Sequence, residues 1–190
     1  MVQLAGRQTA SIKKRAGIYN MIPNLIWSIL HLTPLTVFCF RGMAPLWVYL
    51  SLALSFLLGL LPTPFLRYLQ LGKTTRIYKK IGIGIIRKYS QDGDLINSLL
   101  RKRFPGYRVI DSKGQLGRYI SRTYLFERFH FMVLLFMLIT AVYASARGHG
   151  WWALLITFNN ILYNLYPIFL QQYNRLRLAQ ILGRMPSTIP

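Results

Sequence analysis

The sequence predicts an all-α integral membrane protein with four transmembrane helices, arranged as two hairpins with a basic cytoplasmic or interfacial segment between them. Hydrophobic residues make up 53% of the 190 residues, yet the formal net charge is +20. These properties are compatible when apolar segments cross the lipid and basic segments lie on its surface. Four apolar runs are long enough to cross a bilayer, and all Lys and Arg residues lie outside them.

The four predicted spans lie at about residues 21–40, 44–61, 129–146 and 151–170. The members of each pair are separated by a short segment that contains arginine and glycine, and such punctuation is typical of a tight turn. The first run is too long for a cleavable signal peptide, and no small-residue cleavage site follows it.

The chain accordingly divides into a basic tail with the first hairpin (1–61), a basic cytoplasmic or interfacial segment (62–128), and the second hairpin with a basic tail (129–190). Prolines just after residue 61 end the second predicted span, because proline removes a helical hydrogen bond. Residues 94–103 are predicted to form a short helix, with an acidic residue at its start and basic residues at its end. Residues 107–110 are predicted to be extended.

The distribution of positive charge predicts the orientation in the membrane. Of the 24 Lys and Arg residues, only Arg41 and Arg147 fall on one side of the four-span arrangement. The positive-inside rule then places both termini and segment 62–128 in the cytoplasm. Because topology and contact with membrane lipids account for the charge, we expect no nucleic-acid partner. The single cysteine, Cys39, excludes an internal disulfide and a cysteine-based metal cluster.

A first group of polar residues lies at the start of the third predicted span. Glu127 is the only glutamate, Thr123 precedes it by four residues, and His130 follows it by three. On a helix these offsets place all three side chains on one face. One interpretation is an ion pair between Glu127 and Arg122 or Arg128 at the membrane surface. The other is functional, with His130 as a general base that Glu127 orients or stabilises in its charged form.

No metal site is predicted for this group. Glu-x-x-His is one half of a di-iron motif in helix bundles, but the chain has no second glutamate and only three histidines. His31, within the first span, is interpreted as a buried histidine that is hydrogen-bonded for structural reasons.

A second polar group follows the fourth predicted span. Asn160, Asn164 and Gln171 recur at intervals of four and seven, so they share a helix face. Amides are unfavourable toward lipid and favour the bundle interior, where they bond between helices. The stripe continues into a cluster near the cytoplasmic end of the span. Of its two arginines, Arg175 and Arg177, only one is expected to face inward. We predict that the two polar groups meet in a pocket at the lipid–water boundary.

Two motifs match a known family. Thr-x-x-x-Glu-x-x-His comprises Thr123, Glu127 and His130. Asn-x6-Gln-x-Tyr-Asn-Arg-x-Arg-Leu-x-Gln comprises Asn164, Gln171, Tyr173, Asn174, Arg175, Arg177, Leu178 and Gln180. Through these motifs the chain resembles the glycosyl-4,4′-diaponeurosporenoate acyltransferases, small membrane proteins of bacterial carotenoid pathways, over about residues 60–182.

The resemblance implies transfer of a fatty acyl group to a sugar hydroxyl of a glycosylated carotenoid or similar glycolipid, in the cytoplasmic membrane of a bacterium. The co-substrate would be an acyl-CoA or acyl-carrier-protein thioester, and no bound cofactor is expected. No mechanism comes with the resemblance. From the chemistry of the side chains we expect His130 and Glu127 to be catalytic. Seven residues are expected to bind substrate: Thr123, Asn164, Gln171, Tyr173, Asn174, Arg175 and Arg177.

Within the second group, Asn174 and Arg175 are the candidates to stabilise an oxyanion. Basic side chains of the central segment could hold the phosphates of the acyl donor; they are Lys79, Lys80, Arg87 and Lys88. Two alternatives remain at this point. The chain could be a non-enzymatic four-span scaffold or lipid-binding subunit, or, with less support, a small transporter.

Overall fold

The computed structural model describes residues 2–90, 93–105 and 113–184, and these residues form helices joined by short turns, without strands. The first two helices are α1 (Val2–Arg41) and α2 (Pro45–Gly59). Four short helices follow: α3 (Thr63–Tyr68), α4 (Thr75–Lys80), α5 (Ile83–Tyr89) and α6 (Asp94–Arg103). The rest of the chain forms α7 (Lys113–Ala146), α8 (Gly150–Asn160), a π-helical segment (Ile161–Leu165) and α9 (Tyr166–Arg184).

Within the described residues, three stretches are long and apolar enough to cross a membrane: Arg15–Arg41, Gln115–Ala146 and Gly150–Gly183. These stretches support the predicted all-α membrane fold. The helix α2 is apolar but has only 15 residues, or about 22 Å of helix against about 30 Å of hydrocarbon. A fourth span and the arrangement as two membrane hairpins therefore stay predictions.

Several local predictions can be compared with the helices. The predicted helix at 94–103 is confirmed as α6, whereas the predicted extended piece at 107–110 lies outside the described residues. The helix α7 begins at Lys113, well before the predicted span at residue 129. At the turn between α7 and α8, Gly148 has a φ of 78°, a conformation that costs glycine little.

The helix α7 is the centre of the bundle and packs against α2, α8 and α9. An apolar core cluster joins Phe38 of α1 to Met137 of α7 and Ile156 of α8. A second cluster attaches α4 and α5 to α9, since Tyr78 and Ile83 pack there against Leu170 and Tyr173. The helices α4 and α5 therefore lie against α9.

The last helical stretch is continuous through the π-helical segment, and its sequence explains that segment. Pro167 has no N–H group, so the carbonyl of Tyr163 cannot make the usual bond to the residue four positions later. Ile161–Leu165 accommodates this loss with bonds that span five residues, as the bond from the Tyr166 N–H to the Ile161 carbonyl shows. A π-bulge adds one residue to a turn, so the face turned to α7 is reached one residue later in α9.

Candidate active site

Glu127 forms a buried ion pair that joins α7 to α9. Nη1 of Arg175 donates to Oε2 of Glu127 at 2.6 Å, and the exposed fractions of the two side chains are 6% and 0%. A carboxylate and a guanidinium removed from water are stable only as a pair with further hydrogen bonds. The carboxylate thus faces α9, whereas Arg128, one of the partners suggested by the sequence, donates to Thr63.

Gln172 completes the hydrogen bonding of Glu127 and ties it to the chain before α4. Its Nε2 donates to Oε1 of Glu127 at 2.7 Å. Its Oε1 accepts from the Leu71 N–H at 3.1 Å and from the Tyr78 hydroxyl at 3.0 Å. Both carboxylate oxygens therefore have a donor. Burial raises the pKa of the Tyr78 phenol, although its hydrogen bond with Gly72 opposes the shift.

The guanidinium of Arg175 is held on further sides. Its Nη2 donates to Oε1 of Gln70 at 3.3 Å, and its Cζ lies 3.9 Å from the centre of the Tyr124 ring, which adds a cation–π contact. Arg177 is exposed and lies 5.7 Å from the Tyr173 ring. Of the two arginines, which were expected to face different ways, Arg175 is therefore the buried one and Arg177 the exposed one.

His130 lies one helical turn from Glu127 and has a different set of partners. Its Nδ1 is 3.3 Å from Oδ1 of Asn164, and its ring packs edge-on against Tyr163, with the ring centres 5.9 Å apart. Both partners belong to the π-helical segment. Among the described residues no hydrogen bond joins His130 to Glu127, so Asn164, and not Glu127, is the side chain that hydrogen-bonds to the imidazole.

A chain of amides fixes the direction of this contact. Asn160 Nδ2 donates to the Leu134 carbonyl at 3.0 Å, which leaves its Oδ1 to accept from Asn164 Nδ2 at 2.8 Å. Asn164 Oδ1 then faces His130 as an acceptor, so Nδ1 of the ring carries the proton. In the neutral ring Nε2 keeps its lone pair, the form a general base requires. The interhelical bonding predicted for Asn160 is confirmed by its bond to α7.

The remaining predicted residues are spread around these two groups. Thr123 is buried, and its hydroxyl donates to the Ile120 carbonyl. Tyr173 is buried beside Tyr78 in the apolar cluster. Gln171 and Asn174 are half-buried, and no hydrogen bond of either side chain occurs within the described residues.

Sequence reasoning missed Gln172, Gln70 and Tyr78. A regular α-helix carries the stripe of Asn160 and Asn164 to Gln171, whereas the π-helical segment moves the buried position to Gln172, which is 0% exposed. Pro167, which follows the Asn164 position, is the signal that could have indicated the shift. Residues 69–72 contact Gln172 and Tyr78 largely through backbone groups. Backbone contacts cannot be predicted from the pattern of side chains.

His31 is buried and its Nδ1 lies 2.6 Å from Oδ1 of Asn159, so the interpretation as a buried, hydrogen-bonded histidine is confirmed. Across the described ranges, no three His, Cys, Asp or Glu side chains come together in a way that could hold a metal ion.

Comparison with known proteins gives a family match. The model of a family described as glycosyl-4,4′-diaponeurosporenoate acyltransferase matches residues 62–184, which include all residues of both polar groups. No curated protein and no solved structure matches the chain significantly.

Proposed function

Because the chain belongs to the glycosyl-4,4′-diaponeurosporenoate acyltransferase family, we propose that it transfers a fatty acyl group from an acyl thioester to a sugar hydroxyl of a glycosylated carotenoid or similar glycolipid. The family makes the protein an acyltransferase, and the three membrane-length helices make it a membrane protein. The observation that carries the proposed chemistry is the amide chain that ends on His130.

In the proposed reaction His130 is the general base. Nε2 takes the proton of the acceptor hydroxyl as its oxygen attacks the thioester carbonyl. A carbon–oxygen bond forms, and the carbon–sulfur bond breaks as the tetrahedral intermediate collapses. The proton held on Nε2 passes to the thiolate that leaves, so the enzyme returns to its starting state. The second ring nitrogen stays bonded to Asn164 throughout.

Glu127 has a positioning role in this proposal rather than that of a base. Both of its oxygens are occupied by Arg175 and Gln172, so it holds α7 and α9 at a fixed distance just below His130. Arg175 is engaged by Glu127 and by Gln70. Asn174, half-buried and without such bonds, is therefore the stronger candidate to donate to the oxyanion.

The acyl donor is proposed to approach from the cytoplasm as a coenzyme A or carrier-protein thioester. Lys79, Lys80 and Lys88 are exposed on the short helices that pack against α9 and could bind its phosphates. Arg87 is less available, because two of its nitrogens donate to the same carboxylate oxygen of Asp94, at 3.0 and 2.7 Å. The proposal therefore places the protein in a bacterial cytoplasmic membrane, with both termini in the cytoplasm.

His130→Asn tests the proposal, since asparagine keeps a donor near the Nδ1 position and removes Nε2. We expect kcat with an acyl thioester and a carotenoid glucoside to fall by about 10²–10⁴-fold, with little change in thermal stability. Released thiol and acylated glycoside are both measured. His149→Asn is the matched control, because His149 is exposed in the turn after α7. Activity of His130→Asn within about threefold of the wild type would contradict a general base at this position.

A further inference from the structure

A second histidine, His31 of α1, has a buried nitrogen that the described part of the chain leaves without a partner. The residue is 3% exposed, and Nδ1 bonds to Asn159 while Nε2 has no hydrogen-bond partner among the described residues. His31 lies within the membrane-length stretch Arg15–Arg41 and outside the residues that the family model matches. The structural role of this histidine, which needs only Nδ1, does not account for Nε2.

The protonation of His31 follows from the orientation of Asn159. Nδ2 of Asn159 donates to the Leu155 carbonyl at 2.7 Å, so Oδ1 is the atom that faces the ring. Oδ1 can only accept, which places the proton of His31 on Nδ1. Nε2 is then a lone-pair acceptor inside an apolar helix bundle. A buried acceptor without a donor is unfavourable, and a ligand that brings a donor gains from satisfying it.

The surroundings of His31 connect it to the candidate active site. The centre of the Tyr163 ring lies 5.8 Å from that of His31 and 5.9 Å from that of His130. The hydroxyl of Tyr163 is 2.9 Å from that of Ser28 on α1, and Trp27 stacks on His31 at 4.9 Å with the rings nearly parallel. The two imidazoles therefore share Tyr163 as a neighbour, and α1 contributes to the same region of the bundle.

We propose that Nε2 of His31 accepts a hydrogen bond from a hydroxyl group of the acceptor's sugar, so that α1 forms part of the headgroup subsite. The identification of the ligand as a glycoside rests on the proposed function. The chemistry and the position of His31 together select between the two substrates. The acyl and polyene chains and the reacting carbonyl and sulfur offer no hydrogen-bond donor, whereas each free sugar hydroxyl is a donor. The N–H and O–H donors of a pantetheine arm belong to the water-soluble part of the acyl donor, whereas His31 lies within a membrane-length apolar stretch. His31 is thus a binding residue for the acceptor and not for the acyl donor.

The experiment compares dodecyl β-glucoside with its tetra-O-methyl derivative, which keeps the pyranose ring and the alkyl chain but has no hydroxyl donor. The wild-type protein is placed in phosphatidylglycerol nanodiscs, because glycosidic detergents would compete for the subsite. Equilibrium binding is measured by titration calorimetry. We expect the free glucoside to bind about tenfold more tightly than the methylated one. Equal binding of the two compounds by the wild type would overturn the proposal.

Two variants identify the residue responsible. His31→Asn keeps a donor near the Nδ1 position and removes Nε2. The double variant His31→Phe with Asn159→Leu removes both partners of the internal bond, a change that is often nearly neutral for folding. Both should bind the free glucoside about 5–10-fold more weakly than the wild type and bind the methylated compound as before. His149→Asn should match the wild type with both compounds.

Steady-state kinetics separate a binding role from a structural one. The His31 variants should raise KM for the acceptor, leave KM for the acyl thioester unchanged and change kcat less than twofold. An equal loss of affinity for both glucosides, or a rise in KM for both substrates, would mean that the variants disturb packing and would overturn the proposal.

The same data distinguish this proposal from the proposed function. Acyl transfer to glucosides with unchanged acceptor affinity in the His31 variants would overturn the subsite alone. Hydroxyl-dependent binding that requires His31, without acyl transfer to any glycoside, would support the subsite and overturn the proposed function.

Discussion

Glu127 and His130 lie one turn apart on α7, and each contacts residues of the last helical stretch, yet their environments differ. Glu127 has both oxygens bonded, to Gln172 and Arg175, and all three side chains are buried. Within the described residues, the side chain that hydrogen-bonds to His130 is that of Asn164. In the proposed mechanism the two polar residues of this motif therefore have different roles: Glu127 holds the helices together, and His130 takes the proton of the acceptor.

Removal of one charge from the Glu127–Arg175 pair should have the largest effect on stability. Glu127→Leu leaves the Arg175 guanidinium buried without its counter-ion, and such a change costs about 3–5 kcal/mol. In a chain of this size, that corresponds to a decrease in Tm of roughly 6–20 °C. Thermal unfolding in detergent, followed by circular dichroism, measures the change.

The double variant Glu127→Leu with Arg175→Met is the matched control. It removes both charges, so no buried ion is left unpaired, and it should regain at least half of the lost Tm. If Glu127→Leu unfolded at the wild-type temperature, the Glu127 carboxylate would not hold the helices together, and the structural role assigned to it would be wrong.

The His130 site should respond in activity more than in stability. Asn164→Leu removes the acceptor that fixes the ring, and we expect kcat to fall by about 30-fold, less than loss of the base itself. Asn160→Leu acts one bond further away and should lower kcat by only about threefold. Acyl-transfer kinetics at saturating substrate measure both. A larger loss in Asn160→Leu than in Asn164→Leu would contradict the direction of the amide chain.

Much of this site could be predicted from the sequence, because polar residues are rare in apolar helices and their spacing shows which of them share a face. The shared face of Asn160 and Asn164 and the opposite exposure of Arg175 and Arg177 followed from helical periodicity alone. The helix α6 followed from its charged ends. These features depend on local sequence, which periodicity and dipole arguments describe well.

The parts that could not be predicted depend on backbone geometry and on contacts between distant segments. Gln172 replaces Gln171 in the interior because the π-helical segment adds a residue that a regular periodicity does not contain. The pairing of Glu127 with Arg175 spans 48 residues, and the arginines nearer in sequence were the obvious partners. The helix α2 begins at Pro45 and ends shortly before Pro62, because proline cannot continue a helix. Its short length is the reason that its membrane crossing stays a prediction.

Substitution of Tyr78 should have the smallest effect on stability, and it tests how firmly α4 is attached to the residues around Glu127. Its hydroxyl donates to Gln172 and accepts from the Gly72 N–H, so Tyr78→Phe should cost about 1 kcal/mol at neutral pH.

Burial raises the pKa of the Tyr78 phenol, so the folded state holds the proton more tightly than the unfolded state does. This contribution to stability is complete below about pH 10 and is lost as the pH rises further. Tm measured from pH 7 to pH 11 should therefore fall more steeply for the wild type than for Tyr78→Phe. Parallel curves of Tm against pH for the two proteins would mean that the Tyr78 phenol is not buried against Gln172. The residues around Glu127 would then be accessible to water on that side.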